Sequence, residues 1–504
     1  MFACLLAPAM ARAQLPPVGV PGGAVRVELE GSMDIYDTRW FDGHREPFTA
    51  DLISATAGSN LLPHLDLGDT LIGRITGIPG YQSNLGALTA DGQADVSRGF
   101  LGASLGLTNA ITIFGRLPLV RSRVQTAVTL DSTSGNVGAN PGESGEAAFF
   151  QSFDAGLTDL QARITAGAYD ADPATRALAD ATLADGAALR DDLFELLIDP
   201  ATASGFVPTA GSEAGTAIAA RVATLQSVLS GSLGVTSFAE APALPVERAT
   251  ATELLEYVGD LSGPVAIRPG DSKITFRGDA EAGAALTLID HWDRGHRLGG
   301  FRAAIETLVR FPTGSVARTD RLLSIGTGDG QTDLEFRLTT DLGTGRWGAR
   351  LEADYNRQFP ADYSLRVAPH TQPFPAANLL TVVRRDPGDI VSFTARPFFR
   401  LAPTIALLGT ISHWSRQADE VSYASAADEI PGVSASVLAE DTKANATVLG
   451  IGISYANFGA LRQGGTGLPV DASWSYERIV AAGGGIVPNA HRVRGSFRLY
   501  VGLF

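Results

Sequence analysis

Seven histidines and a single cysteine leave this 504-residue chain little with which to do covalent or metal chemistry. Ser412, His413 and Trp414 stand side by side, and a serine next to a histidine could begin a hydrolase site. A nucleophile of that kind needs an acid or base partner, and the sequence offers none at a recognisable spacing. His291 and His296 flank a charged turn, where solvated turn residues are a simpler reading than a metal pair. Asp329 lies among glycines, but a calcium loop brings several carboxylates together. No nucleophile elbow, phosphate loop, zinc spacing or dinucleotide fingerprint occurs in a fitting context. The expectation is a protein that is not an enzyme and has no cofactor, with a barrel hydrolase as the least favoured alternative.

The charged residues are more informative through their period. From Phe301 to Phe311 the odd positions are nearly all apolar and the even ones include Arg302, Glu306 and Arg310. Leu334, Phe336 and Leu338 alternate with Asp333, Glu335 and Arg337. Trp347, Ala349, Leu351, Ala353 and Tyr355 alternate with Arg350, Glu352, Asp354 and Asn356. Period two means strands with one apolar and one polar face. Soluble sandwiches share that alternation, but their strands average about 5–6 residues. These runs reach about 9–12 residues, the length of a tilted strand crossing a bilayer. In a membrane barrel the apolar face meets lipid and the charged face a wet lumen. The inward set predicted this way is Arg26, Glu28, Glu30, Asp34, Arg277, Asp279, Glu281, Arg302, Glu306, Arg310, Glu335, Arg337, Arg350, Glu352, Asp354, Arg396 and Arg400. Its signs are mixed, which suits pairing across the ladder and favours neither cations nor anions. Structural packing of polar side chains and a solute pathway remain the two readings of that set.

Composition agrees. A net charge of −15 and 57 glycines exclude a strongly basic nucleic-acid footprint. No apolar run approaches the roughly 20 residues of a membrane helix. Residues 1–13 read as the remnant of a signal peptide ending in Ala11-Arg12-Ala13. Cys4 lies within it, so the mature chain would carry no thiol, as suits an oxidising periplasm.

Taken in order, residues 14–130 hold three strands with a long first loop, and residues 270–504 hold the remaining nine. Between them, residues 131–269 shift toward a 3.6-residue period. Asp172-Pro173 opens a helix to Leu197, and further helices are expected over Ala210–Leu233 and Ala249–Leu261. The fold expected is an all-β membrane protein: an antiparallel outer-membrane barrel of about twelve strands with a large helical insertion on the extracellular side. Long and short connections alternate along the chain, which puts both termini on the periplasmic side. The insertion could cap or plug the barrel. The three helices are too bulky for a lumen crowded with long side chains, so a cap is expected. The final strand ends at Phe504, a terminal aromatic of the kind read by the barrel assembly machinery.

Several short motifs carry a resemblance. Gly106-Leu107-Thr108 precedes Arg116-Leu117-Pro118. Gly270-Asp271 leads a strand, Arg310-Phe311 runs into Pro312-Thr313-Gly314, and Gly326-Thr327-Gly328 precedes Asp333. Over residues 97–120 and 270–358 the chain resembles the outer-membrane transporters of the meta-pathway of phenol degradation. The long loops resemble fatty-acid-type channel proteins more loosely. The resemblance implies a porin-like barrel in the bacterial outer membrane, in contact with lipid, that takes up small hydrophobic or aromatic solutes. It fixes no substrate, and the motifs look like turn and strand-end chemistry. The alternative is a barrel anchor that transports nothing and displays a helical partner-binding domain.

Overall fold

The computed structural model describes residues 15, 17–292, 299–402, 404–457 and 469–503. The signal-peptide segment 1–13, His296 and Phe504 lie outside the described residues, as does most of the link Phe458 to Pro469. Twelve antiparallel strands close into a barrel. They are β1 (Ala24–Tyr36), β2 (Ala87–Gly106), β3 (Ile111–Asp131), β4 (Ser272–Arg277 continued as Ala280–Asp290), β5 (Gly299–Phe311), β6 (Asp333–Thr344), β7 (Trp347–Gln358), β8 (Ile390–Ala402), β9 (Ile405–Arg416), β10 (Ala444–Asn457), β11 (Val470–Gly484) and β12 (His491–Gly502). Each pairs with its neighbours in sequence. β12 returns to β1 in continuous register from Ala24↔Gly502 to Ile35↔His491, leaving no open edge.

Closure follows from the two-faced strands. Leu29, Leu119, Phe336, Leu351, Phe393, Ile411, Ile451 and Phe497 point outward and are exposed, forming an apolar belt around the barrel. Arg26, Glu28, Glu306, Glu335 and Arg350 point inward and are buried. Water would penalise that belt and lipid matches it, so the barrel spans the outer membrane. The short turns, such as 107–110 and 345–346, share one rim with Ala24 and Gly502. The long connections rise from the other rim, the extracellular one.

Two strands exceed expectation. β2 begins at Ala87 and β3 runs on to Asp131, so residues read as loop are a long hairpin standing above the membrane. Alternation fades there because neither face meets lipid: Leu88, Ala90, Val128 and Leu130 pack instead under the helical insertion. The fourth strand also differs. The inward set placed Arg277, Asp279 and Glu281 on one face of one strand, but that strand breaks at Gly278-Asp279, opposite Pro118. Across the break the faces exchange. Arg277 pairs with outward-facing Leu119, so it lies on the outer surface and not in the lumen, while Glu281 pairs with inward Arg116.

The helical insertion lies on the extracellular side. It comprises α2 (Gly142–Thr165), α3 (Pro173–Leu197), α4 (Glu213–Ser227) and α5 (Ala251–Gly259), joined by α1 (Asp66–Thr76) from the first long connection. Asp172 caps α3 through Ala174 N, with Pro173 in the first turn. Thr250 and Glu253 form a capping box on α5. Phe149, Phe153, Leu160, Leu193, Ile218, Val222 and Leu225 make one apolar core, with Phe153 stacked on Phe238 at 4.2 Å. The helices bury their stripes mainly on one another. A second cluster joins α5 to Phe374 of the 359–389 connection.

Candidate functional site: the barrel lumen

Strand register turns the inward charges into ordered rows. Glu306, Arg337 and Asp354 stand opposite one another on β5, β6 and β7. So do Arg302, Asp341, Arg350 and Arg396 on β5 to β8, and Glu28, Arg498 and Asp471 on β1, β12 and β11. Signs alternate across most of these rows, so neighbours neutralise one another. Asp341 accepts from Arg302 Nε at 2.8 Å and from Arg350 Nε at 2.7 Å. Arg337 donates to Glu335 at 2.6 Å and is paired with Asp354. Arg310 reaches Asp333 at 2.7 Å and Glu281 at 3.3 Å. Arg396 pairs with Glu352. Arg498 bridges Glu28 at 2.5 Å and Asp471 at 3.1 Å.

These groups surround a cavity of about 790 Å³. Of the predicted inward residues, Arg26, Glu28, Glu30, Asp34, Glu306, Glu335, Arg337, Arg350, Glu352, Asp354 and Arg396 line it. Arg302, Arg310, Glu281 and Arg400 lie inside the barrel in the ion-pair rows or at the periplasmic rim, away from the cavity surface. Arg400 donates to Gly345 O at 2.7 Å, beside the rings of Trp292 and Phe398. Arg98, Arg116, Asp341, Asp471, Glu477, Arg492, Arg494 and Arg498 also face inward and are absent from the predicted set. The run from His491 carries the same alternation, so the arginines of β12 were legible. Asp341 was masked by the threonines around it.

The leader before β1 is part of the site. Leu15 and residues 17–23 cross the periplasmic mouth. Val20 N donates to Thr112 Oγ1 at 2.8 Å, Arg26 Nη1 donates to Pro17 O at 3.1 Å, and Arg302 Nη2 donates to Leu15 O at 3.1 Å. Leu15 joins Trp292, Phe398 and Ala406 of the far wall in one apolar cluster. Leu15, Pro17 and Val18 therefore floor the cavity, while Ile325, Val487 and Pro488 roof it from the extracellular loops. Nothing in the leader's sequence beyond its prolines and glycines signals that position.

The motif residues Pro312, Thr313, Gly314, Gly326, Thr327 and Gly328 assemble around the break in β4. Asp279 accepts from Gly314 N at 2.8 Å and Asp329 N at 3.0 Å. Thr313 Oγ1 donates to Gly278 O at 2.7 Å and accepts from Ala280 N at 2.9 Å. Thr327 Oγ1 donates to Arg277 O at 3.0 Å. Two threonine hydroxyls thus replace ladder partners that the broken strand lacks. The glycines are required because a Cβ on Gly328 would lie 2.3 Å from Asp279 Oδ2. The motif holds the barrel wall together and does not face the cavity.

The hydrolase alternative has no dyad. Ser412 points inward to Thr394 Oγ1 at 2.7 Å, while His413 points outward to Thr447 Oγ1 at 3.1 Å. Among the described residues no group of three or more His, Cys, Asp or Glu could hold a metal.

Comparisons of sequence match no protein-family model and no curated protein. Among solved structures, the chain is similar to the COG4313 outer membrane channel from Pseudomonas putida F1, at 10% identity over 97% of this chain and 100% of that one, with a TM-score of 0.43. A Pseudomonas aeruginosa FadL homologue aligns at 7% identity over 96% of this chain and 91% of that one, with a TM-score of 0.29. The Pseudomonas putida toluene transporter TodX aligns at 10% identity over 96% and 90%, with a TM-score of 0.25. At these scores the fold rests on the geometry described above: a closed, twelve-stranded, membrane-spanning barrel with an ion-paired lumen.

Proposed function

We propose that the protein is an outer-membrane channel admitting small solutes, hydrophobic or aromatic ones among them, through the lumen of the barrel. The observation that carries this reading is the 790 Å³ cavity held between the leader and the extracellular loops. Its volume falls within the roughly 300–1,000 Å³ of small-molecule sites. Tyr36, Ile390, Leu408, Trp414 and Ile479 give its lining an apolar component beside the charges. The leader belongs to no strand and is tied to the wall through hydrogen bonds and the buried Leu15 and Val20, and its withdrawal would open the cavity to the periplasm. The helical insertion would act as a cap that controls entry from outside. The barrel assembly machinery would be the partner in insertion.

The anchor reading draws on a different observation: the insertion has a core of its own and could display a surface without any transport. Proteoliposome swelling separates the two. Entry of small solutes should be faster into vesicles containing the protein than into empty ones, and faster still after deletion of residues 131–269. Identical rates in all three preparations would favour the anchor.

A further inference from the structure

The ion-pair rows do not run all the way round the lumen. β10 carries no acidic or basic residue, and on β9 the only charged side chain is Arg416, at the extracellular rim beside Thr442. His413, the other titratable group of β9, faces outward. The inward residues of this wall are Leu408, Thr410, Ser412 and Trp414 on β9, with Val448 and Ser454 on β10. At mid-height one of its rows continues uncharged into the neighbours on both sides, whereas the row through Thr410 and Gly450 ends at Glu477. Thr394, Ser412, Val448 and Ile479 stand in one register line across four strands. Elsewhere nine arginines and nine carboxylates line the cavity, so the remaining circumference is charged but balanced.

We infer that this uncharged wall is the track along which solute passes, and that it selects uncharged molecules combining apolar surface with a hydroxyl or carbonyl group. The inference rests on the channel reading above and assigns its substrate class. Three observations carry it. The wall spans the cavity from Trp414, near the extracellular end, to Leu408, which packs on the cluster that holds the leader's Leu15. It presents hydroxyls interleaved with Trp414, Val448 and Leu408, a surface that can hydrogen-bond a solute and cover its apolar part. Ser454 Oγ is 4% exposed by residue and has no hydrogen-bond partner among the described residues, so a polar group is already in place beside the path. An anion on this track would leave bulk water without meeting a countercharge, and most of the arginines of the other walls are held in pairs with carboxylates.

The inward glycines Gly450 and Gly452 fit the same picture. On β10 they face the lumen between Val448 and Ser454 and withhold side chains from the middle of the track. Glu477 leans over Gly450, where a Cβ would come within 2.7 Å of its Cγ. The acid thereby borders the wall without standing on it.

Swelling of proteoliposomes in phenyl glucoside and phenyl glucuronide tests this, because the two solutes differ by a carboxylate at similar size. The full-length protein should admit the glucoside about tenfold faster than the glucuronide, a modest discrimination for an unpaired charge. Thr410→Trp should slow glucoside entry about fivefold or more, while Val96→Trp, equal bulk on the opposite wall, should slow it less than about twofold. Ser412→Asp, with little added bulk, should also slow the glucoside, and it keeps the test open if Thr410→Trp fails to fold. Equal entry of both solutes into wild-type vesicles would overturn the neutral track while leaving a channel. Equal effects of Thr410→Trp and Val96→Trp would do the same. Exclusion of both solutes would overturn the channel itself.

Discussion

Asp341 is the residue on which the ion-pair rows depend most heavily, and its removal has a calculable consequence. The carboxylate is 2% exposed, and the arginines it joins, Arg302 and Arg350, are 5% and 8% exposed. One oxygen accepts from Arg350 Nε at 2.7 Å, and the other accepts from Arg302 Nε at 2.8 Å and Arg350 Nη2 at 3.0 Å. Asp341→Ala leaves two guanidinium groups inside the barrel with their shared countercharge gone. Breaking one buried pair costs about 3–5 kcal/mol, chiefly through the stranded partner. Arg302 keeps its bond to Leu15 O and its place over the Trp292 ring, which offsets part of the loss. The expected destabilisation is therefore about 3–5 kcal/mol, within the single-pair range even though two arginines are affected. Urea titration of the barrel in lipid, followed by heat-modifiable migration, measures it. Asp341→Asn should be nearly as damaging, since an amide retains an acceptor but no charge. Asp341→Ala combined with Arg350→Ala should recover part of the loss. A change under about 1 kcal/mol for Asp341→Ala, the size of an exposed pair, would refute the burial of this row.

Two further outcomes follow from the same structure. Leu351 is 43% exposed on the belt and Glu352 faces the lumen; Leu351→Arg should cost about 2–4 kcal/mol if it lies near the bilayer midplane, and equal folding of Leu351→Arg and Leu351→Met in the urea assay would reject the strand's orientation. Burial against the insertion holds His64 down to about 4, with Asp66 opposing the shift, and its ring lies 5.3 Å from that of Tyr257. The native state therefore binds fewer protons than the unfolded chain between the ordinary histidine value of 6.5 and 4. Stability of this junction is complete above that window and falls as pH is lowered through it, by up to roughly 3 kcal/mol. Hydrogen exchange in α1 and α5, corrected for intrinsic rate, should accelerate on acidification in the wild type and much less in His64→Phe.

The strands from β5 to β7 were legible because lipid and lumen impose period two on them without interruption, and the inward residues of those strands follow from parity alone. Parity failed where the environment changed. Above the membrane, Ala87 to Val96 and Val120 to Asp131 have no lipid face, so their pattern does not announce a strand. At Gly278-Asp279 the strand breaks, and Arg277 emerges on the side opposite to the one parity assigns. The helix Pro173–Leu197 was legible by its cap, while α1 lies in a stretch dense in glycine and proline that reads as loop. Pairing was beyond the sequence altogether. That Asp341 joins Arg302 to Arg350 depends on register, and register depends on where each turn closes. The position of Leu15 under the cavity depends on a chain folding back through its own barrel, which no local pattern encodes.

On the proposed function, solute crosses the lumen once the leader withdraws from the periplasmic mouth. Leu15 and Ala406 belong to one small apolar cluster there, so a short bis-thiol crosslink between Leu15→Cys and Ala406→Cys, with Cys4 replaced by serine and a reducible linker, fixes the leader in place. Solute entry into proteoliposomes, measured before and after reduction, is the direct test. Entry should stay at the empty-vesicle rate while the linker is intact and reach the wild-type rate once it is cleaved. Entry at the wild-type rate with the linker intact would contradict the proposal.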